Sequence, residues 1–181
     1  RAGRRFCRRE MTELERFVLL KVLRPAFSQD AELVEHFEQE ARLAASIQHP
    51  NVVAIYAHGQ DDGQPYLAAE FVDGVDLKTL LAHGPLPPEL ATLVTLEAAR
   101  GLRAAHRRDV LHRDIKPENI LIAHEGQVKL TDFGLASLID ESADVEVRGT
   151  WSYLAPEVVR GTTPTEAADL FSLGATLFEM L

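Results

Sequence analysis

The 181 residues carry 46% hydrophobic and 26% charged side chains, an ordinary balance for a folded domain with one well-buried core or two small lobes. A formal charge of −9 and a pI near 5.2 argue against nucleic acid as the main partner, and no apolar run approaches the roughly 18 residues needed to span a bilayer. Cys7 is the only cysteine, which excludes an internal disulfide or a cysteine-built metal centre and fits a reducing, cytoplasmic setting.

The arginines at 1, 4, 5, 8 and 9 precede no apolar stretch, so the start does not read as a signal peptide. They read as a solvated edge, and these residues imply no membrane contact, although a longer parent protein has room for an anchor elsewhere. Residues 17–23 predict a buried strand interrupted by Lys21. Residues 31–48 predict a helix whose face is Phe37, Ala41, Ala44 and Ile47, ended by His49-Pro50. Residues 52–57 and 66–72 predict strands joined by a turn over 59–63, and Asp73-Gly74 breaks the pattern. Pro87-Pro88 opens a helix with the stripe Leu90, Val94, Ala98, Leu102 and Ala105. A hairpin comes next, with strands at 121–123 and 128–130, then a loop over 137–150 and an apolar helix over 165–181. Strands first and helices second indicate an α+β architecture, with a cleft between two lobes as the natural ligand site.

Two stretches carry the chemistry. His112-Arg113-Asp114-Ile115-Lys116-Pro117-Glu118-Asn119 and Asp132-Phe133-Gly134 supply a carboxylate, an ammonium, an amide and a second carboxylate on neighbouring loops. Phosphoryl transfer asks for such a set: a carboxylate to orient a hydroxyl, cations to neutralise the moving group, and oxygen ligands for a divalent metal. Lys21 in an apolar strand and Glu40 on the apolar face of the next helix suggest one ion pair, because a buried lysine needs a partner.

The string His-Arg-Asp-x-Lys-Pro-x-Asn with Asp-Phe-Gly downstream resembles the catalytic and metal-binding loops of bacterial Hanks-type serine/threonine protein kinases. Lys-Val-Leu-Arg-Pro at 21–25 and Phe-Val-Asp-Gly-Val-Asp-Leu at 71–77 have the same character. The resemblance implies a bilobal fold, with a small β-rich lobe and a helical lobe, and transfer of phosphate from ATP to Ser/Thr hydroxyls of protein substrates. ATP and Mg²⁺, with Mn²⁺ as a substitute, are the implied cofactors. Asp114 would orient the hydroxyl, Lys116 would steady the γ-phosphate, and Asn119 and Asp132 would hold metal. Lys21 would hold the α/β-phosphates and pair with Glu40. Around the adenine it implies Phe6 as roof, Leu19 in place of a usual alanine, Leu121 as floor, and the backbone of Glu70 and Val72 as hydrogen-bonding edge. Ala69 would leave open the pocket behind the adenine. Asp76 reads equally as a ribose contact or a helix cap. Asp169 would hold the backbone of the catalytic loop. Arg113 implies control by a phosphorylated loop, with Ser142 as the candidate site, and Thr150 lies in a stretch resembling the peptide-docking loop.

By that resemblance the chain is a partial kinase domain. Residues 1–72 form a first lobe lacking the first strand and most of a glycine-rich loop, and residues 73–181 form a second lobe ending within its central helix. The 181 residues alone are then expected to bind nucleotide weakly and turn over poorly, leaving an exposed apolar face on the last helix. The alternative is a pseudokinase or nucleotide-binding scaffold, which would normally have lost Lys21, Asp114 or Asp132.

Overall fold

The computed structural model describes residues 4–11, 16–23, 28, 30–133 and 151–181, with backbone alone for residues 4–11, Arg16, Ala31, Glu32, His36 and Glu40. Four antiparallel strands form the first sheet in the order β1-β2-β4-β3: β1 (Arg4–Met11), β2 (Arg16–Leu23), β3 (Ile55–Asp61) and β4 (Gln64–Glu70). The run Val18 to Leu23 makes β2 a central strand, paired on one side with β1 and on the other with β4. Helix α1 (Ala31–Ala45) packs Phe37 and Ala41 against Leu23, Val53, Leu67 and Ala69.

Three local readings of the sequence need correction here. Helix α1 stops at Ala45, not at Gln48, because Ser46 and Ile47 donate three residues back, to the Leu43 and Ala44 carbonyls, and the Ser46 hydroxyl donates to Leu43 at 2.6 Å. The β3–β4 hairpin keeps only Asp62 and Gly63 for its turn, both with positive φ (47° and 73°), as a type I′ turn requires. Gly59, Gln60 and Asp61 are strand residues on an edge strand with an exposed face. Gly74 does more than end a pattern: it begins β5 (Gly74–Asp76), which pairs with β6 (Ile120–Ala123) and, through it, with β7 (Val128–Leu130). A Cβ on Gly74 would stand 2.1 Å from the Ile122 carbonyl oxygen, so only glycine fits this approach.

The helical part is built on α2 (Leu77–Leu81), α3 (Pro88–His106), α4 (Pro156–Val159) and α5 (Glu166–Met180). Its core joins Leu77, Leu102, Ile115, Ile120, Leu130 and Met180, all fully buried. At about 1.5–3 kcal/mol per large apolar side chain removed from water, this is the main source of its stability. The buried face of α3 is Ala91, Val94, Ala98, Gly101, Leu102 and Ala105. Leu90 faces outward instead, with half its surface exposed. Small residues prevail because α3 presses against the chain at Asn51, where a Cβ on Gly101 would lie 2.7 Å from the Asn51 carbonyl oxygen.

The two cores are stitched by the segment between α1 and β3. Val53 N–H donates to the Leu130 carbonyl and Leu130 N–H to the Asn51 carbonyl, each at 2.9 Å. The buried Asn51 amide donates to Glu97 Oε2 at 2.7 Å and to the Val128 carbonyl at 2.9 Å. On α5, Leu170, Phe171 and Phe178 are exposed, as is Leu181 just after it, the apolar face expected from the sequence. No helix among the described residues is long and apolar enough to cross a membrane.

Candidate active site

The loop between α3 and β6 carries Asp114, Lys116 and Asn119, and a single carboxylate from another helix shapes it. Asp169, fully buried in the first turn of α5, accepts Arg113 N–H at 2.8 Å and His112 N–H at 2.9 Å, and faces His106 Nε2 at 2.8 Å. Arg113 takes φ +65°, a left-handed conformation disfavoured for any residue with a Cβ. The turn Pro117–Asn119 then brings Asn119 back beneath Asp114.

Asp114 is held by four contacts from its own loop, three of them to its carboxylate. Lys116 Nζ reaches both carboxylate oxygens, at 2.8 and 2.7 Å. Asn119 Nδ2 donates to Asp114 Oδ2 at 2.9 Å and to the Asp114 carbonyl at 2.7 Å. With its orientation fixed, the carboxylate keeps further lone pairs for another donor.

A second loop lies beside the first. Thr131 N–H donates to the Asn119 carbonyl at 3.0 Å, and the Thr131 hydroxyl donates to Asp132 Oδ1 at 3.1 Å. Asp132, also left-handed at φ +67°, forms an ion pair with the buried Lys21 of β2. The two loops share His112, which is wholly buried and packed on the Phe133 ring at a centroid distance of 4.4 Å. Burial pushes its imidazole well below the ordinary histidine value, and the Asp169 and Asp114 charges only partly oppose this. The ring is therefore neutral. Its Nδ1 accepts Asp114 N–H at 3.3 Å, which assigns the proton to Nε2, donating to the Thr131 carbonyl at 3.0 Å.

The other expected residues are spread over both parts of the chain. Glu40 lies on α1 with its side chain outside the description, so the Lys21–Glu40 pair does too. Phe6 stands in register opposite Lys21. Leu19, Val72 and Leu121 pack on the small-lobe core, and Ala69 is buried between them and α1. Ala69 lines a small cavity together with Lys21, Ala41, Ala44, Val53, Ile55 and Phe133. Asp76 caps α2, accepting Thr79 N–H at 2.7 Å. Gly134, Ser142 and Thr150 lie outside the described residues.

Two arrangements escape the sequence. Lys129, buried on β7, pairs with Glu70 at the end of β4. The same signal that marks Lys21, a lysine flanked by apolar strand residues, is present in Val128-Lys129-Leu130. Glu179 on α5 accepts the Tyr153 hydroxyl and Lys78 Nζ. Burial alone would raise its carboxyl, but those two donors outweigh it and hold the pKa below the ordinary value. Neither spacing nor periodicity announces a contact between residues 101 positions apart.

Residues 7–181 match the family model described as "Protein kinase domain". The chain is 40% identical over 172 residues to the serine/threonine-protein kinase PrkC of Bacillus subtilis, covering 93% of this chain and 26% of that protein. It is 38% identical over 177 residues to the serine/threonine-protein kinase PknB of Mycobacterium leprae, covering 93% and 28%. The crystal structure of the Mycobacterium tuberculosis PknI kinase domain superposes with a TM-score of 0.77 at 30% identity, over 99% of this chain and 69% of that one. The chain thus spans about a quarter of the length of these two curated relatives.

Proposed function

The chain belongs to the protein kinase domain family, and from that premise we propose that it transfers the γ-phosphoryl group of ATP to Ser and Thr hydroxyls of protein substrates. The observation that carries this reading is the fixed Asp114–Lys116–Asn119 cluster standing one backbone hydrogen bond from the loop of Asp132 and Lys21. An acceptor hydroxyl beside Asp114 would donate its proton to the free lone pairs of that carboxylate, which aims the oxygen at the phosphorus. Lys116 would neutralise charge on the moving phosphoryl group, and Lys21 would hold the α/β-phosphates in the cleft.

The family uses ATP with a divalent cation. The donor set here fits a hard one: a carboxamide oxygen from Asn119 and a carboxylate from Asp132, few enough to leave places for water and phosphate oxygens, as Mg²⁺ prefers and Mn²⁺ accepts. Among the described residues no cluster of three or more His, Cys, Asp or Glu competes as a metal site. When bound, the cation supplies charge neutralisation between the phosphates. Asn119 and Asp132 would hold it, and the Thr131 hydroxyl and Lys21 orient Asp132 for that role.

For the nucleotide, the backbone at Glu70 and Val72 would bond the adenine edge, with Phe6, Leu19 and Leu121 about the ring, and Ala69 would open the space behind it. Asp76 would add a ribose contact beside its capping bond. Residues 1–72 and 73–181 would serve as the two lobes. Glu118 and the acidic balance of the chain would favour basic residues near the target hydroxyl. The reaction would run in the cytoplasm, where ATP and reduced cysteine coexist. Regulation would act through Arg113, Thr150 and Ser142.

The test is phosphate transfer from γ-labelled ATP to a serine peptide with Mg²⁺, and then identification of the labelled residue. Asp114→Asn is expected to lower turnover by about 10²–10⁴-fold while leaving ATP binding in place. Unchanged turnover in that variant refutes the assignment, and ATP binding without transfer by the unaltered protein points to the scaffold reading.

A further inference from the structure

The Lys129–Glu70 ion pair sits where the chain passes from one lobe to the other. Lys129 Nζ lies 2.9 Å from Glu70 Oε1 and 3.0 Å from Oε2, with the lysine side chain 9% exposed and the glutamate 23%. The same carboxylate accepts Ala54 N–H at 3.1 Å, and Glu70 N–H donates to the Ala54 carbonyl at 2.8 Å. Glu70 is thus gripped from two sides: by backbone and side chain on the segment leading into β3, and by a cation on β7.

The short connection after Glu70 makes this grip consequential. Only Phe71, Val72 and Asp73 separate β4 from β5. A connection this short has little freedom of its own, so its course is set by its two ends. One end is Gly74, packed against the Ile122 backbone with no room for a Cβ. The other is Glu70. Lys129 also stands in register with Leu121 and leads, through Leu130 and Thr131, to Asp132.

We infer that Lys129 is a positioning residue for the nucleotide: through the Glu70 carboxylate it fixes the backbone of residues 70–72 and thereby sets adenine affinity. The inference rests on the nucleotide-binding reading above. Remove the ammonium, and a largely buried carboxylate loses its counter-charge. It turns toward water and carries the end of β4 with it. The phosphate-side residues Lys21, Asp114 and Lys116 do not touch this pair, so the effect falls on adenine recognition and leaves the chemical step alone. Neutralising both partners removes the stranded charge and restores much of the geometry.

The experiment measures dissociation constants for ATP and for adenosine, and KM and kcat, in the intact protein and in Lys129→Met, Lys129→Arg and the double variant Glu70→Gln/Lys129→Met. Lys129→Met is expected to weaken ATP and adenosine by the same factor, about fivefold to twentyfold. Its KM for ATP rises by a similar factor, while kcat and the KM for peptide stay within about twofold. Lys129→Arg keeps near-normal affinity, and the double variant binds adenosine more tightly than Lys129→Met does. The inference is overturned if Lys129→Met lowers the melting temperature but leaves adenosine affinity unchanged, since the pair is then only a structural tie. A loss seen with ATP and not with adenosine overturns it as well. Unaltered protein that binds neither molecule would instead refute the nucleotide reading, and the inference with it.

Discussion

Replacing Asp169 tests how the loop that carries Asp114 is held. Its carboxylate is 2% exposed and accepts two backbone N–H groups, from Arg113 at 2.8 Å and His112 at 2.9 Å, while facing His106 Nε2. Asp169→Ala leaves both amides buried without an acceptor. An unsatisfied buried donor costs about 1–3 kcal/mol, and a bond to a charged acceptor is worth about 1.5–3 kcal/mol. Two such losses give about 3–6 kcal/mol, a large part of the roughly 5–15 kcal/mol that stabilises a domain. Arg113 adds to the effect, because its left-handed backbone costs about 1–2 kcal/mol and is held in place by this carboxylate. Asp169→Asn keeps one acceptor and turns an amide N–H toward the other donor, so it should lose about half as much. The assay is urea unfolding monitored by Trp151 fluorescence. With m near 2 kcal/mol/M, the midpoint should fall by about 1.5–3 M for Asp169→Ala and about 1 M for Asp169→Asn. Amide exchange at His112 and Arg113 should quicken in Asp169→Asn before the rest of the chain is affected. An Asp169→Ala midpoint within about 0.3 M of the unaltered chain would refute the reasoning.

The same geometry sets three further outcomes. Because burial holds the His112 pKa down, the unfolded chain takes up a proton below about pH 6.5 that the folded chain refuses. Stability should be flat above that pH and fall below it by up to about 1.4 kcal/mol per unit, and His112→Phe should flatten the slope of the urea midpoint between pH 7.5 and 5.5. Equal slopes in the two proteins would rule this out. Gly74→Ala forces a Cβ to 2.1 Å from the Ile122 carbonyl oxygen, so β5 must part from β6. The expected loss is about 2–4 kcal/mol, read as a lower melting temperature. Ala69→Met adds bulk to the wall of the cavity that Ala69 lines. An adenine-mimicking inhibitor with a bulky substituent should lose potency by about tenfold or more against that variant, and equal inhibition of both proteins counts against an open pocket.

The sequence is most legible where polarity violates its surroundings. Lys21 in an apolar strand announces a buried partner, and the polar string from His112 to Asn119 announces a site. It is least legible where size and not polarity decides. Ala91 is on the buried face of α3 where Leu90 is not, and Gly101 joins that face because the chain at Asn51 comes too close for anything larger; a hydrophobic stripe drawn through Leu90 misses both. A β3–β4 turn drawn over 59–63 is too long because Gly59, Gln60 and Asp61 look like loop residues. They are residues of an edge strand, with Gln60 and Asp61 facing solvent, and only Asp62-Gly63 has turn backbone. Within the site, Asp114, Lys116, Asn119 and Asp132 are legible from spacing. The groups that orient them, His112 through its tautomer and Thr131 through its backbone, depend on contacts between loops that no local pattern encodes.

The way α1 is seated makes it a lever with a fixed fulcrum. Its end and the segment after it, Ala44, Ile47 and Val52, belong to the large core, whereas Val34, Phe37 and Ala41 pack on the sheet. Any tilt of the sheet against the helical part must therefore swing α1 about its last turn. At about 1.5 Å per residue the arm is about 22 Å long, and Glu40 sits only about 7.5 Å from the pivot. A swing of about 10° would carry Ala31 nearly 4 Å but the Glu40 backbone only about 1.3 Å. Large movement at the outer tip of the helix is thereby geared down to a fine adjustment near its last turn.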